Sequence, residues 1–342
     1  MIRPHGGKLV RRVLADEAKC EMLEKAGALP RLALDDDSRA DLENIASGAY
    51  SPLEGFLGRE DFRRVLDQMR LSNGTPWTMP IVLDAAREAA SRLKIGSDVI
   101  LTDRAGEAVG VLHLAEKFEY DREETAHRIF QTTATVHPGA ARILAGNEVL
   151  LGGKIDLLRE TATPFDRFRL SPKETRVLFK VKGWRTIAAF PTRNAPGAGI
   201  EAALRAALAF VDGIFVNPAI GAIRSGAGDD GATSAAVGSD FSNRVDNESV
   251  VASWDKLLKD AFRPDRAVMA VLRMGPRYAG PREAVLNAIV LKNFGCSHIL
   301  IDLDRAGVGD YYHPRAAQDV FEEFPDLGIV PLFFRGSANP GD

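Results

Sequence analysis

Over the first 160 residues, apolar positions fall in short runs closed off by Gly, Asp or Pro. Trp77–Leu83 (WTMPIVL), Asp98–Leu101 (DVIL) and Ala108–Leu114 (AVGVLHL) have the length and boundaries of strands. Asp61–Met69 and Arg122–Phe130 read as helices. Together these predict a compact β-rich domain with peripheral helices over residues 1–160.

The pattern changes after Thr161–Leu170, which reads as a linker (161–170), and a second domain is expected over 171–335 with a tail at 336–342. Strand-like runs at Thr186–Phe190, Gly213–Val216, Ala267–Leu272 and His298–Ile301 are interleaved with helical patterns at Ile200–Phe210 and Pro281–Asn293. Such alternation predicts βαβ units and a parallel sheet. Ligands of these sheets bind at the carboxyl ends of strands and at helix N-termini. Chemistry is therefore to be sought in the loops after Phe190, Val216, Leu272 and Ile301. Between Ile220 and Ser242 the chain is rich in Gly, Ala, Ser and Asp. That composition reads as a surface loop, with a phosphate-covering loop as the functional alternative.

Composition alters this picture little. A chain of 342 residues is long enough for two domains, since single cores stop growing at roughly 250–300 residues. Hydrophobic residues make up 45%, charged residues 27%, and the formal charge is -3. This gives no broad basic face for nucleic acid or membrane, though a few local arginines can still bind a small anion. No stretch approaches the 18 apolar residues of a membrane span, and the opening MIRPHGGKLVRR lacks an apolar signal core. A cytoplasmic protein is expected. Cys20 and Cys296 form no C-x-x-C pair and read as two buried free thiols. No metal site is expected, and His5 and His137 read as structural histidines.

Among candidate anion binders, Arg193 directly follows a predicted buried strand, while Arg277 and Arg305 read equally well as converging with it on an anion or as solvated or paired surface charges. Thr192 and Asn194 serve equally well as turn formers or ligand contacts. Pro196-Gly197-Ala198-Gly199 offers bare backbone N–H groups at a helix start. The same stretch holds a rival motif, Gly197-x-Gly199-x-x-Ala202, with the outline of a dinucleotide fingerprint. The rival is disfavoured, because the next strand ends in Phe215-Val216-Asn217-Pro218 rather than in an acidic residue for the ribose. Asp302 and Asp304 fit a capped turn better than a magnesium site.

Several motifs occur together in one order. They are Pro4–Val10 (PHGGKLV), Ser51–Phe56 (SPLEGF), His137-Pro138-Gly139, Gly183-Trp184, Phe190–Asn194 (FPTRN), Arg277–Ala284 (RYAGPREA) and Ala306–Tyr312 (AGVGDYY). In this combination the chain resembles the ATP sulfurylase (sulfate adenylyltransferase) family from about residue 3 to 330. The resemblance implies an α/β protein with an N-terminal PUA-like β-rich domain and a Rossmann-like nucleotidyltransferase domain. It implies conversion of ATP and sulfate to adenylyl sulfate and pyrophosphate, with magnesium and no tightly bound cofactor. Carried over by position, it implies catalytic roles for Thr192, Arg193 and Asn194. Substrate contacts are implied for Arg193, Gly197, Asn217, Arg277, Arg305, Ala306 and Gly307.

The chain also departs from the family pattern. Where the family carries Q-T-R-N-x-x-H-x-x-H, this sequence places Pro191 for the glutamine and Gly197 and Ile200 for the two histidines. Those histidines would donate hydrogen bonds to charge developing on the phosphates, and neither replacement has a side-chain donor. The family's G-R-D-H reads Asp302-Leu303-Asp304-Arg305, and its His-Pro reads Asn217-Pro218. The sequence ends at Asp342, where family members continue into a lid domain. The expectation is an adenylyl transfer impaired or redirected, or a non-catalytic nucleotide- or oxyanion-binding, regulatory protein of sulfate assimilation. Its partners would be a nucleotide and a sulfate-like oxyanion, and a homo-oligomer or an intact sulfurylase subunit is a candidate protein partner.

Overall fold

The structure is a computed structural model, and it describes residues 1–197, 199–221, 247–302, 311–313 and 315–334. The first part runs α1 (Asp16–Lys25), β1 (Arg31–Ala33), α2 (Asp36–Ser47), β2 (Gly55–Phe56), α3 (Arg59–Gln68), β3 (Leu83–Ala85), α4 (Arg87–Arg92), β4 (Asp98–Thr102), β5 (Ala108–Glu119), α5 (Arg122–Phe130), α6 (Pro138–Leu144) and β6 (Val149–Leu157). Its sheet has the order β1-β4-β5-β6-β2, with β3 also on β6. The β1–β4 pair is parallel and the β4–β5–β6 ladder antiparallel.

The strand expected at Trp77–Leu83 does not form along that run. Only Leu83 belongs to one. Pro80 has no N–H for a ladder, and the indole of Trp77 donates to the Met79 carbonyl at 2.7 Å. The run is apolar because it fills the core: Trp77, Met79 and Ile81 are all buried. Cys20 departs from expectation as well. It is exposed, whereas Cys296 is buried, because α1 buries none of its residues.

The second part contains α7 (Pro172–Val181), β7 (Ile187–Thr192), α8 (Ile200–Ala207), β8 (Gly213–Ile220), α9 (Asn247–Ala261), β9 (Ala267–Met269), β10 (Leu272–Arg273), α10 (Pro281–Phe294), β11 (His298–Asp302), α11 (Ala316–Glu322) and β12 (Val330–Phe334). The sheet order is β10-β8-β7-β11-β12, with β9 on β8, and every pairing is parallel. Central parallel strands are covered on both faces and read as continuous apolar runs. Ile187–Ala189 and Ile214–Val216 accordingly have no exposure. Helix α8 starts after Gly199, whose φ of 86° is a backbone state glycine adopts without cost. The helix turns Ile200, Leu204 and Ala207 inward onto the sheet.

The two parts meet along α2. Asp35 caps that helix by accepting the Ser38 N–H at 2.7 Å. Its buried residues include Asp41, Glu43 and Asn44 alongside Leu42 and Ile45. Polar side chains are buried only when they are paired, and these find their partners on residues 273–277.

Candidate functional site at the exit of β7

Strand β7 pairs with β8 through Pro191–Asn217 and Thr192–Pro218, so the loop expected after Phe190 begins at Arg193. Thr192 and Asn194 close a tight turn. The Asn194 N–H donates to Thr192 Oγ1 at 3.2 Å, and that hydroxyl donates to the Asn194 carbonyl at 3.1 Å. The indole of Trp254 on α9 donates to the same carbonyl at 2.8 Å. This buried side chain pins the turn that presents Arg193.

The Arg193 guanidinium is held by donation from Nη1 to the Met274 carbonyl at 2.6 Å and from Nη2 to the Gly275 carbonyl at 3.0 Å. It also reaches Glu283 Oε1 at 3.5 Å. A guanidinium has five N–H donors, and those beyond these three contacts have no partner among the described residues. Its side chain keeps 23% exposure, enough to meet a small ligand. Burial pushes its pKa downward, opposed by the charge on Glu283. An arriving anion would offset that burial penalty.

Arg277 is put to a different use from the one expected. Its Nη2 bonds Asp41 Oδ1 of α2 and donates to the Tyr50 hydroxyl at 3.2 Å. Tyr50 in turn donates to Asp41 at 3.2 Å. Burial opposes the charge on Arg277, but Asp41 and Tyr50 outweigh it and hold the guanidinium well above its ordinary pKa. The backbone N–H groups of Arg277 and Ala279 donate to Glu283 at 3.0 and 3.3 Å. Arg277 therefore reaches Arg193 through Glu283 and main chain, and its own side chain faces the N-terminal part.

Asn217 lies inside the protein at 2% exposure, its amide donating to the Ala270 carbonyl at 2.6 Å. That bond ties β8 to Ala270. Gly197 is exposed, and a Cβ there would meet nothing within 4 Å. Ile200 is 7% exposed within the apolar cluster beneath α8. Arg305, Ala306 and Gly307 lie outside the described residues, as do Ala198, Asp304 and the Gly-rich stretch from 222 to 246. Among the described residues, no cluster of three His, Cys, Asp or Glu side chains is disposed to hold a metal ion.

A cleft of about 410 Å³ opens between α2, α6 and Pro276–Tyr278. Arg277 lines it, whereas Thr192, Arg193 and Asn194 do not. It is lined by Asp35, Asp37, Asp41 and Asp84 against Arg142 and Arg277, an acidic balance that disfavours an oxyanion. The β7 exit lies outside this cleft.

The roles of Glu283, Trp254, Asp41 and Tyr50 are not legible in the sequence alone. Glu283 stands inside the RYAGPREA motif, and that was the available signal. Asp37, Asp41 and Asn44 share one helix face by spacing, but nothing in the spacing separates a docked polar face from a solvated one.

A profile described as a PUA-like domain matches residues 2–160, and one described as ATP-sulfurylase matches residues 166–338. The chain is 46% identical over 333 residues to a sulfate adenylyltransferase of Hyperthermus butylicus, covering 97% of this chain and 81% of the other. It is 44% identical to that of Thermococcus onnurineus, covering 97% and 82%. Among solved structures it is similar to a hexameric APS kinase from Thiobacillus denitrificans. The TM-score is 0.71 at 25% identity, covering 98% of this chain and 57% of that one.

Proposed function

Since this chain belongs to the ATP-sulfurylase family, with a PUA-like domain preceding its sulfurylase domain, we propose that it binds a sulfate-like oxyanion at Arg193 and transfers adenylyl from ATP to it, far more slowly than an intact family site would. In the balanced step a sulfate oxygen forms a bond to the α-phosphorus. The bond from that phosphorus to the bridging oxygen of the β-phosphate breaks, and pyrophosphate leaves with the electron pair. Arg193 holds the attacking oxyanion, and the turn pinned by Trp254 orients it. Magnesium enters only as part of the nucleotide substrate.

The observation that carries this reading is the Arg193 guanidinium, fixed by two carbonyls at 2.6 and 3.0 Å while keeping donors and 23% exposure for a ligand. The slowness follows from the same turn. Pro191, Gly197 and Ile200 supply no side-chain donor to the phosphates, and each preorganised donor is worth about 2.7–4 kcal/mol in the transition state. A sensitive test is formation of ATP from adenylyl sulfate and pyrophosphate. Slow turnover that disappears in Arg193→Gln is expected. No ATP at high protein concentration, together with no sulfate-dependent pyrophosphate release, contradicts the proposal.

The packing of Ile200 into the apolar cluster beneath α8 favours one second reading, a non-catalytic binder of oxyanion or nucleotide. It predicts that sulfate or adenylyl sulfate raises the melting temperature without any turnover. A melting temperature indifferent to both disposes of it.

A further inference from the structure

Helix α2 belongs to the N-terminal part, yet one of its faces is committed to residues 273–277. Asn44 donates to the Arg273 carbonyl at 2.9 Å, and Glu43 pairs with Arg273 at 3.1 Å. Asp37 lies so close that a Cβ on Gly275 would stand 2.4 Å from its Oδ1, so any side chain there would have to displace that carboxylate. Asp41, 3% exposed, holds Arg277, whose side chain is 10% exposed.

The segment gripped in this way is also the cradle of Arg193. The carbonyls of Met274 and Gly275 accept from its guanidinium, and the amides of Arg277 and Ala279 fix Glu283 beside it. Between them Tyr278 adopts a φ of 58°, a left-handed state that costs energy in a bulky residue and persists only when its surroundings impose it. One short segment thus has Arg193 on one side and α2 on the other.

We propose that Asp41, acting through Arg277, is a positioning residue for Arg193, so that docking of the N-terminal helix α2 sets the geometry of the oxyanion site in the second domain. The inference rests on the reading of Arg193 given above and extends it to the other domain. Without Asp41, Arg277 becomes a buried charge lacking its partner. The Pro276–Ala279 turn then moves to relieve it and takes the acceptors of Arg193 with it. Coupling of this kind is reciprocal: an anion on Arg193 tightens the junction, and a loosened junction weakens the anion.

The test compares wild type, Asp41→Asn and Tyr50→Phe, using inorganic sulfate as ligand and hydrogen exchange as a readout that needs no ligand. Tyr50→Phe is the milder change, because its ring stays packed against Trp77. Asp41→Asn should raise the KM for sulfate about tenfold, leave the KM for ATP unchanged, and speed amide exchange at Arg277 and Ala279. Tyr50→Phe should move the same quantities less, and it decides the matter if Asp41→Asn does not fold. Wild-type sulfate KM and wild-type exchange in the variants overturn the inference, as does an equal rise in both KM values. If wild type neither turns over nor binds sulfate, the reading of Arg193 has failed. Exchange then decides alone: acceleration at both amides upholds the coupling, and wild-type rates refute it.

Discussion

Ile200 and Gly197 occupy the two positions where the family motif carries histidine, and their surroundings differ sharply. A Cβ on Gly197 meets open space, so Gly197→His should change stability by no more than about 0.5 kcal/mol. Ile200 is buried with Leu204 and Trp254, and Ile200→His should cost about 1–3 kcal/mol by placing a polar ring in an apolar cluster. Urea unfolding of the two variants checks both values. His5 gives a second prediction at this scale. It is 2% exposed, with Nε2 2.6 Å from the Pro76 carbonyl, and burial lowers its pKa from 6.5 to about 4. The unfolded chain therefore binds the extra proton between those values. Stability is complete above pH 6.5 and falls as pH drops toward 4, by about 3 kcal/mol from this group. His5→Gln should flatten the melting temperature over that window; an unchanged profile contradicts the assignment.

Elements record how much of this was legible in the residues. The second sheet was readable because parallel strands buried on both faces leave continuous apolar runs, as in Ile187–Ala189 and Ile214–Val216. The position of Arg193 at the exit of β7 was readable because it follows such a run directly. The Trp77–Leu83 run misled, since an apolar run shows burial and Pro80 prevents the ladder. The docked face of α2 stayed hidden because its partners lie more than two hundred residues away in the chain. The first sheet carries a polar pin that spacing also conceals. His113 on β5 bonds Asp98 on β4 at 2.6 Å and Asp156 on β6 at 2.8 Å, with Arg12 on Asp156 at 3.0 Å. Burial lowers the His113 pKa, but hydrogen bonds and charge from the two carboxylates outweigh it and leave a net rise. The pin therefore contributes fully below pH 6.5 and is lost as pH climbs through the raised value. Melting curves from pH 6 to 9 should show a decline in wild type that His113→Gln removes.

At the scale of the whole molecule, two domains with different sheets share one polar seam. Their fold classes were legible from the change in periodicity after residue 170. The seam was not, because it is built from buried charges whose value depends on partners in space. No helix among the described residues is long and apolar enough to cross a membrane, and the acidic cleft of about 410 Å³ along the seam has the wrong sign for the ligand proposed here. If Arg193 is the oxyanion site proposed above, the seam puts it under the control of both domains. Calorimetric titration of inorganic sulfate into wild type and Arg193→Gln, both confirmed as folded, tests this directly. Wild type should bind saturably, and binding should weaken at least about tenfold in the variant, the value of a hydrogen bond to a charged group. Identical isotherms for the two proteins, or no saturable binding by wild type, would contradict it.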